Sequence, residues 1–330
     1  MTDNKPYIRV EHLKKYFSTK RGMLHAVDDV SFDIQRGETL GLVGESGCGK
    51  STLGRCLIRL LDSTAGSVLL KDPEGDGYTD VTKVSASVMK DLRRRVQIVF
   101  QDPYSCLNPR LSVWELIAEP LIVNNVYSDK AAMRARIREL MNTVGLAERL
   151  EKSYPHELDG GRRQRIGIAR SLALNPEFIV LDEPVSALDV CIQAQVLNLL
   201  NALQKEFNYT YVFISHNLSV VKHVSDRIAV MYLGQMVELS EYRELFKNPL
   251  HPYTQALLSA IPLAKLDVKQ ERIILEGDVP SPIEPPDACR FAGRCRYCQD
   301  VCRNGTPPLK EYAPGHFVAC HFAGDTRRTQ

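Results

Sequence analysis

Residues 44–51 form the glycine-rich pattern G-x-x-x-x-G-K-S, which is typical of a loop that binds phosphate groups. A hydrophobic run at 39–43 precedes the loop and predicts a buried strand, and leucines at helical spacing follow it. Glycines let the backbone N–H groups point inward, and the helix adds the positive end of its dipole. We expect Lys50 to reach the β- and γ-phosphates, Ser51 to ligate Mg²⁺ and Thr52 to donate to the α-phosphate. The predicted nucleotide-binding residues are Gly44, Glu45, Ser46, Gly47, Cys48, Gly49, Lys50, Ser51 and Thr52.

A second hydrophobic run ends in two acids, Asp182 and Glu183. A strand that is apolar on both faces belongs inside a parallel sheet, and ligands bind at the carboxyl ends of such strands. We expect Asp182 to hold Mg²⁺ through water and Glu183 to polarise the attacking water. Gln101 and His216 each follow another predicted strand. Each of these features is common on its own. Their order along the chain predicts nucleotide hydrolysis: a phosphate loop, a glutamine, an acid pair and a histidine.

An aromatic pair, Tyr16 and Phe17, precedes the phosphate loop. Residues 7–35 alternate apolar and polar positions, which predicts antiparallel strands with one solvated face. The pair is predicted to lie in the loop between these strands. One ring is then placed to stack on adenine, and Phe17 is preferred over Tyr16; the alternative is a packing residue.

Five of the nine cysteines lie close to the C-terminus in the spacing C-x5-C-x2-C-x3-C-x17-C. This segment contains few large apolar residues, so an aliphatic core does not explain how it is held together. Three interpretations stay open: an iron–sulfur cluster, a structural zinc ion and unliganded thiols. The cysteines are Cys289, Cys295, Cys298, Cys302 and Cys320.

Composition narrows the class of protein. The 330 residues carry a formal net charge of only +2, which gives no electrostatic reason to expect nucleic acid as a partner. No run approaches the roughly 18 apolar residues of a membrane span, and the polar N-terminus does not suggest secretion. Any association with a membrane is therefore expected to go through partner proteins.

Residues 158–165 read L-D-G-G-R-R-Q-R, which resembles the L-S-G-G-Q signature of the ATP-binding cassette (ABC) family. Gln101 matches the Q-loop of that family, residues 186–189 match its D-loop and His216 matches its switch histidine. The resemblance implies that Gln101 and His216 act in catalysis with Glu183, and that Gln101 also ligates Mg²⁺ with Ser51 and Asp182. The resemblance covers about residues 7–240. It implies that Leu158, Asp159, Gly160 and Gly161 contact a nucleotide held by a second cassette, because the family works as a head-to-tail pair.

Within the family, the chain looks most like the ATPase subunits of oligopeptide and dipeptide importers. The likeness rests on V-F-Q-D-P at 99–103, N-P-R at 108–110 and the segment beginning L-H-P-Y at 250. It implies an α/β cassette with a RecA-like core, an antiparallel β subdomain and a helical subdomain at about 103–165. Residues 1–240 are the expected ATPase domain and 241–330 the expected cysteine-rich extension. Importers for nickel share the extension, so the cassette ATPase of a nickel or other small-solute importer is the alternative function.

The resemblance also implies cofactors, partners and a location. ATP and Mg²⁺ are expected, and four tail cysteines, matching Cys289, Cys295, Cys302 and Cys320, are associated in the family with a [4Fe–4S] cluster; Zn²⁺ is the alternative. The expected partners are a second cassette in a heterodimer, two transmembrane permeases and, indirectly, an extracellular solute-binding protein. The implied location is peripheral, on the cytoplasmic face of the membrane. A soluble cassette acting on nucleic acid or ribosomes and an exporter are the less favoured alternatives.

The signature departs from the family pattern at two positions, since Asp159 replaces its serine and Arg162 its glutamine. A serine hydroxyl donates to the γ-phosphate, whereas an ionised carboxylate repels it. We therefore expect an asymmetric heterodimer in which this chain's own site hydrolyses ATP and the partner's site is impaired. Arg162 and Arg163 are the candidates to neutralise Asp159.

Overall fold

The computed structural model describes residues 5–261 and 272–325. These residues divide into two compact units. One unit comprises the described residues of Met1–Ile34, Thr39–Thr82 and Ser215–Gln330, and the other comprises Gln35–Glu38 and Lys83–Ile214. Within the described residues, no helix combines the length and the apolar character needed to span a membrane.

The strands are β1 (Ile8–Thr19), β2 (Gly22–Ile34), β3 (Thr39–Val43), β4 (Ala65–Lys71), β5 (Tyr78–Asp80), β6 (Val96–Val99), β7 (Phe178–Asp182), β8 (Thr210–Ile214), β9 (Arg227–Tyr232), β10 (Gln235–Glu241), β11 (Lys310–Ala313) and β12 (His316–Val318). The α-helices are α1 (Lys50–Leu57), α2 (Ala86–Arg95), α3 (Pro103–Cys106), α4 (Val113–Val123), α5 (Lys130–Thr143), α6 (Gly160–Leu172), α7 (Val190–Phe207), α8 (Leu218–Val224), α9 (Tyr242–Lys247), α10 (Pro252–Ser259) and α11 (Asp300–Arg303).

The first unit contains two runs of paired strands. An antiparallel sheet has the order β2-β1-β4-β5, and a second run has the order β11-β12-β10-β9-β3, in which β9 and β3 are parallel. The five residues of β3 are all buried, whereas β1 and β2 alternate between buried and more accessible positions. This difference follows from sequence, because an uninterrupted apolar run can only be satisfied by cover on both faces.

The second unit is built on three parallel strands in the order β8-β7-β6. All residues of β7 and β8 are buried, as their continuous apolar sequences require. The helices around them begin at polar caps: Ser112 forms a capping box with Glu115, and Asp129 accepts hydrogen bonds from the first turn of α5. These caps fix where α4 and α5 begin.

Within the first unit, a buried carboxylate on β10 binds residues of the C-terminal segment. Glu238 on β10 is fully buried, and its Oε1 accepts hydrogen bonds from Leu250 N (2.7 Å) and His316 Nε2 (2.7 Å). Its Oε2 accepts a hydrogen bond from His251 N at 3.0 Å. A buried carboxylate is stable only when its lone pairs are satisfied, so these donors anchor the segment to the sheet.

His251 makes the stability of this unit depend on pH. Its Nδ1 accepts a hydrogen bond from Tyr253 N (3.1 Å), and burial lowers its pKa from 6.5 to about 4 despite the opposing effect of Glu238. Below pH 6.5 the unfolded chain binds a proton that the folded chain refuses, so stability is lost as the pH falls from 6.5 to 4. We expect this histidine to contribute on the order of 2 kcal/mol to that loss.

The measurement is the free energy of unfolding of the whole chain at several pH values. The substitution His251→Asn keeps a side chain that can cap α10 but removes the group that titrates, so the variant should show a shallower loss between pH 6.5 and 4. Equal slopes for the variant and the wild-type chain would contradict this prediction. His223→Asn, on an exposed position of α8, is the matched control.

Candidate functional site

The glycine-rich loop joins β3 to α1, the strand–loop–helix arrangement that the sequence predicts. Gly49 has φ = +102°, and a Cβ there would lie 2.0 Å from Ala26 O, so no side chain fits at this position. Lys50 is buried, and its Nζ donates to Gly44 O and Glu45 O, both at 2.8 Å. These two hydrogen bonds fold the loop around the ammonium group, which supplies a positive charge within it.

The other loop residues surround this ammonium. Cys48 is buried with its Sγ 3.6 Å from Lys50 Nζ, and burial raises the pKa of its thiol. Ser46 and Gly47 form the exposed tip, and Ser51 and Thr52 lie in the first turn of α1. The loop therefore presents backbone N–H groups, a helix N-terminus and a buried cation, which together suit an anionic ligand.

Two residues of the C-terminal segment contact the phosphate loop, and the sequence gives no sign of either. Arg294 Nη1 lies 2.9 Å from Glu45 Oε2 and 3.2 Å from Oε1, and Glu45 N donates to the Tyr253 hydroxyl at 2.9 Å. Glu45 and Arg294 are separated by 249 positions in the chain. No local pattern pairs residues so far apart, so only the fold reveals this contact.

The second unit brings three of the predicted residues together. Asp182 is buried at the end of β7, and Glu183 follows it with φ = +47°, a conformation that non-glycine residues rarely adopt. The strained backbone is held by Glu183 N donating to Ile214 O (3.0 Å). Gln101 Nε2 donates to Glu183 Oε2 at 2.9 Å. The glutamine thus orients the carboxylate that the sequence predicts to polarise water.

Asp159 is the N-cap of α6, the helix that the signature opens. Its Oδ1 accepts a hydrogen bond from Arg162 N (2.8 Å), and its Oδ2 lies 3.3 Å from Arg162 Nη1. Of the two candidate arginines, Arg162 is therefore the partner. Arg163 is instead buried, bonds to Pro155 O and stacks on Tyr104. The carboxylate keeps the helix-capping role of the serine it replaces and is paired with a cation.

Close packing within this unit leaves little room for a side chain at the two signature glycines. A Cβ on Gly161 would lie 2.5 Å from Ile192 Cγ2, and one on Gly160 would lie 3.1 Å from Leu188 Cδ2. Leu188 belongs to the predicted D-loop and Ile192 to α7. Leu158 is buried ahead of them. The signature and the D-loop are thus one packed substructure.

The two remaining candidates lie in the first unit. His216 is exposed and follows Ser215, whose backbone N–H donates to Leu42 O (3.1 Å) beside the phosphate loop strand. The prediction that Tyr16 and Phe17 lie in a loop is wrong: both lie in β1, which continues to Thr19 because its last residues pair with the start of β2, Tyr16 with His25 and Phe17 with Leu24. The Tyr16 hydroxyl donates to Asp28, whereas Phe17 is 37% exposed. Phe17 is therefore the accessible ring of the pair.

The tail cysteines divide into four and one. Cys289, Cys295, Cys302 and Cys320 line one small cavity together with His251 and Phe291. Cys298 does not line it; its Sγ lies 3.7 Å from Gln299 O. In the part of the chain that the structure describes, no group of three or more His, Cys, Asp or Glu side chains is arranged to hold a metal ion. All nine cysteines are unpaired thiols.

Comparisons with known proteins agree with this geometry. The model of the family described as "ABC transporter" matches residues 27–186, and that described as "Oligopeptide/dipeptide transporter, C-terminal region" matches residues 237–302. The oligopeptide transport ATP-binding protein AppF of Bacillus subtilis (strain 168) is 51% identical over 325 residues, which cover 96% of this chain and 97% of that protein. This chain belongs to the ABC transporter ATPase family, in its oligopeptide/dipeptide branch.

Further relatives support this assignment to the cassette family. The oligopeptide transport ATP-binding protein OppF of Bacillus subtilis (strain 168) is 50% identical, with 95% of each chain covered. Among solved structures, the dimeric post-hydrolysis state of the cassette MJ0796 with ADP and Pi has a TM-score of 0.63 and 28% identity. That likeness covers 72% of this chain and 99% of the MJ0796 chain. The α/β cassette fold and the ATPase class predicted from the motifs are thereby confirmed.

Proposed function

We propose that this chain is the ATP-hydrolysing subunit of a membrane importer for oligopeptides or dipeptides. The observation that carries the proposal is the match of the C-terminal region to the oligopeptide/dipeptide transporter model, together with relatives about half identical over nearly the whole chain. We place the boundary between the ATPase domain and the extension at residues 240 and 241, with the helical subdomain at about 103–165.

Each candidate residue takes one role in this proposal. The phosphate loop binds the phosphates through its N–H groups and Lys50, with Ser51, Gln101 and Asp182 as Mg²⁺ ligands. Glu183 polarises the attacking water and Gln101 orients Glu183, while His216 faces the γ-phosphate. The bond between Gln101 and Glu183 supports these two roles, since it pre-orients the carboxylate. Phe17 stacks on adenine, for which its exposed ring is suited.

The proposed partners are a second, different cassette and two permeases on the cytoplasmic face of the membrane, with an extracellular binding protein that supplies the peptide. A groove of about 300 Å³ in the second unit supports permease docking. It is lined by Ile98 and Phe100 ahead of Gln101 and by Val123 of α4, which is 66% exposed. An exposed apolar groove beside the glutamine suits a helix of a membrane subunit.

We further propose that Cys289, Cys295, Cys302 and Cys320 hold a [4Fe–4S] cluster, with Zn²⁺ as the alternative. Burial raises the pKa of Cys289 to about 11 and of Cys295 to about 12, and the neighbouring thiols add to both shifts. Backbone N–H groups that bond the sulfurs act in the opposite direction. Thiols in this state become thiolates only when a metal supplies positive charge. The cavity volume of about 10 Å³ means that a four-iron cluster requires the thiols to move apart.

Absorption and metal analysis of anaerobically purified protein distinguish these two metals. A cluster should give a brown protein with broad absorption near about 400 nm and about four irons per chain. Bound zinc should give a colourless protein with about one zinc per chain. Cys302→Ser should lose the metal, whereas the matched control Cys298→Ser should keep it. Absence of metal from the wild-type protein would overturn the proposal.

Reconstitution tests the proposed function as a whole. This chain is assembled with its second cassette and two permeases in vesicles, and uptake of a labelled peptide is measured with ATP and the binding protein present. Uptake should require both ATP and this chain. ATP-driven uptake of Ni²⁺ without peptide uptake would support the nickel alternative instead.

A further inference from the structure

The 289–295 segment begins at Cys289 and ends at Cys295, two of the cysteines that line the cavity. It carries two arginines, Arg290 and Arg294. The side chains of Arg290 and Arg294 are only 6% and 9% exposed. A buried guanidinium is costly unless anions or carbonyls satisfy it, so its partners are informative. The mechanism proposed above uses neither arginine.

Arg294 is bound to the phosphate loop. Its Nη1 contacts both carboxylate oxygens of Glu45, at 2.9 and 3.2 Å, while the Glu45 N–H is held by the Tyr253 hydroxyl at 2.9 Å. Both the side chain and the backbone of this loop residue are therefore held by the C-terminal segment. Phe291 packs against Tyr253 with ring centroids 5.5 Å apart, which fixes the tyrosine in turn.

Arg290 supports the opposite side of the same loop. Its guanidinium donates to Leu233 O and pairs with Asp28. The next residue, Gly234, donates its N–H to Cys48 O of the phosphate loop at 2.8 Å. The 289–295 segment thus fixes the loop at Glu45 directly and at Cys48 through one turn.

The charges of Glu45 and Arg294 relate these contacts to the binding of phosphate. Glu45 brings a carboxylate into a loop whose expected ligand is a polyanion, and like charges a few ångströms apart repel. Arg294 neutralises this carboxylate through one nitrogen, Nη1, which contacts both carboxylate oxygens. Without Arg294, the carboxylate is free to turn toward the bound phosphates.

We propose that Arg294 is a positioning residue of the phosphate loop, so that the C-terminal segment sets the nucleotide affinity of the cassette. This inference rests on the proposed function, which takes the loop as the ATP site. Because Arg294 adjoins Cys295, the same contact links the cysteine cavity to the nucleotide.

The test is the dissociation constant of the full chain for a fluorescent ADP analogue (MANT-ADP) with Mg²⁺. Arg294→Met should weaken binding about threefold to tenfold, and the loss should be larger at low salt because the repulsion is screened less. The matched control is Arg296→Met, on the other side of Cys295, where the exposed guanidinium lies 4.8 Å from the Tyr297 ring. The control should bind as wild type does.

A second variant separates positioning from simple structural damage. Glu45→Gln removes the repelling charge and should bind MANT-ADP at least as tightly as wild type. In the Glu45→Gln background, Arg294→Met should then change binding by less than twofold. Equal losses in both backgrounds, or a loss no larger than that of Arg296→Met, overturn the proposal. If the wild-type chain itself fails to bind MANT-ADP, the proposed function fails instead.

Discussion

We expect ATP hydrolysis by the assembled importer to fall about 100- to 1000-fold when Glu183 is replaced with glutamine in this chain alone. In the proposed role, the carboxylate polarises the attacking water and accepts its proton, which a neutral amide would not do. Glutamine has the same shape and still contacts Gln101, so the left-handed backbone at position 183 is undisturbed. Nucleotide binding and the melting temperature should therefore stay within error of wild type.

The measurement is steady-state phosphate release from the reconstituted complex, with bound nucleotide determined in parallel. The same substitution in the partner cassette is the decisive comparison, because the asymmetric arrangement assigns hydrolysis to this chain's site. We expect that second variant to lose less than half of the activity. Glu148→Gln, an exposed acid of the same unit, controls for the loss of one charge. A rate within threefold of wild type for Glu183→Gln would falsify the assignment.

Replacing Asp159 with serine is expected to increase ATP hydrolysis at the partner's site. Serine at position 159 would donate to the γ-phosphate of the partner's nucleotide, whereas the carboxylate repels it by on the order of 4 kcal/mol at about 4 Å in an effective dielectric of 20. The contact of Arg162 with Asp159 at 3.3 Å offsets part of this repulsion. We therefore expect Asp159→Ser to raise hydrolysis at the partner's site about tenfold to a hundredfold.

The increase in hydrolysis is best measured in a variant whose own ATP site is inactive. In Glu183→Gln, the residual activity belongs to the partner's site, and adding Asp159→Ser should increase it. Serine and aspartate cap helices about equally well, so α6 should remain stable. Asp129→Ser, which changes the cap of α5 in the same way, is the matched control. No gain over Asp129→Ser would show that Asp159 does not impair the partner's site.

Local pattern was sufficient for the phosphate loop and the strands that flank the candidate residues. A glycine pattern between a buried strand and a helix spans about twenty residues, and its physical cause lies within those residues. The position of Asp182 and Glu183 at the end of a strand was likewise predictable, since a run that is apolar on both faces is typical of a strand inside a parallel sheet. The extension of β1 through Phe17 was missed, because aromatic residues near a turn are equally compatible with strand and loop.

Contacts between distant parts of the chain were not predictable from one sequence. Spacing alone leaves Cys298 equivalent to its neighbours, and only the fold shows that it does not line the cavity with the other four. The choice between Arg162 and Arg163 as the partner of Asp159 depends on which face of α6 is buried. The contact of Arg294 with Glu45 was not predictable either, because these residues are 249 positions apart and only the packing of the C-terminal segment brings them together.

The carboxylate of Glu238 has a practical consequence for anyone who wishes to work with a shortened cassette. Cutting the chain after Glu241 removes the N–H groups of Leu250 and His251 and the imidazole of His316, which donate to this carboxylate, and it removes β12, the neighbour of β10. Strand β10 then becomes an unpaired sheet edge, which can pair with another chain. Truncated forms should therefore aggregate or melt early, and biochemistry on this cassette calls for the uncut polypeptide.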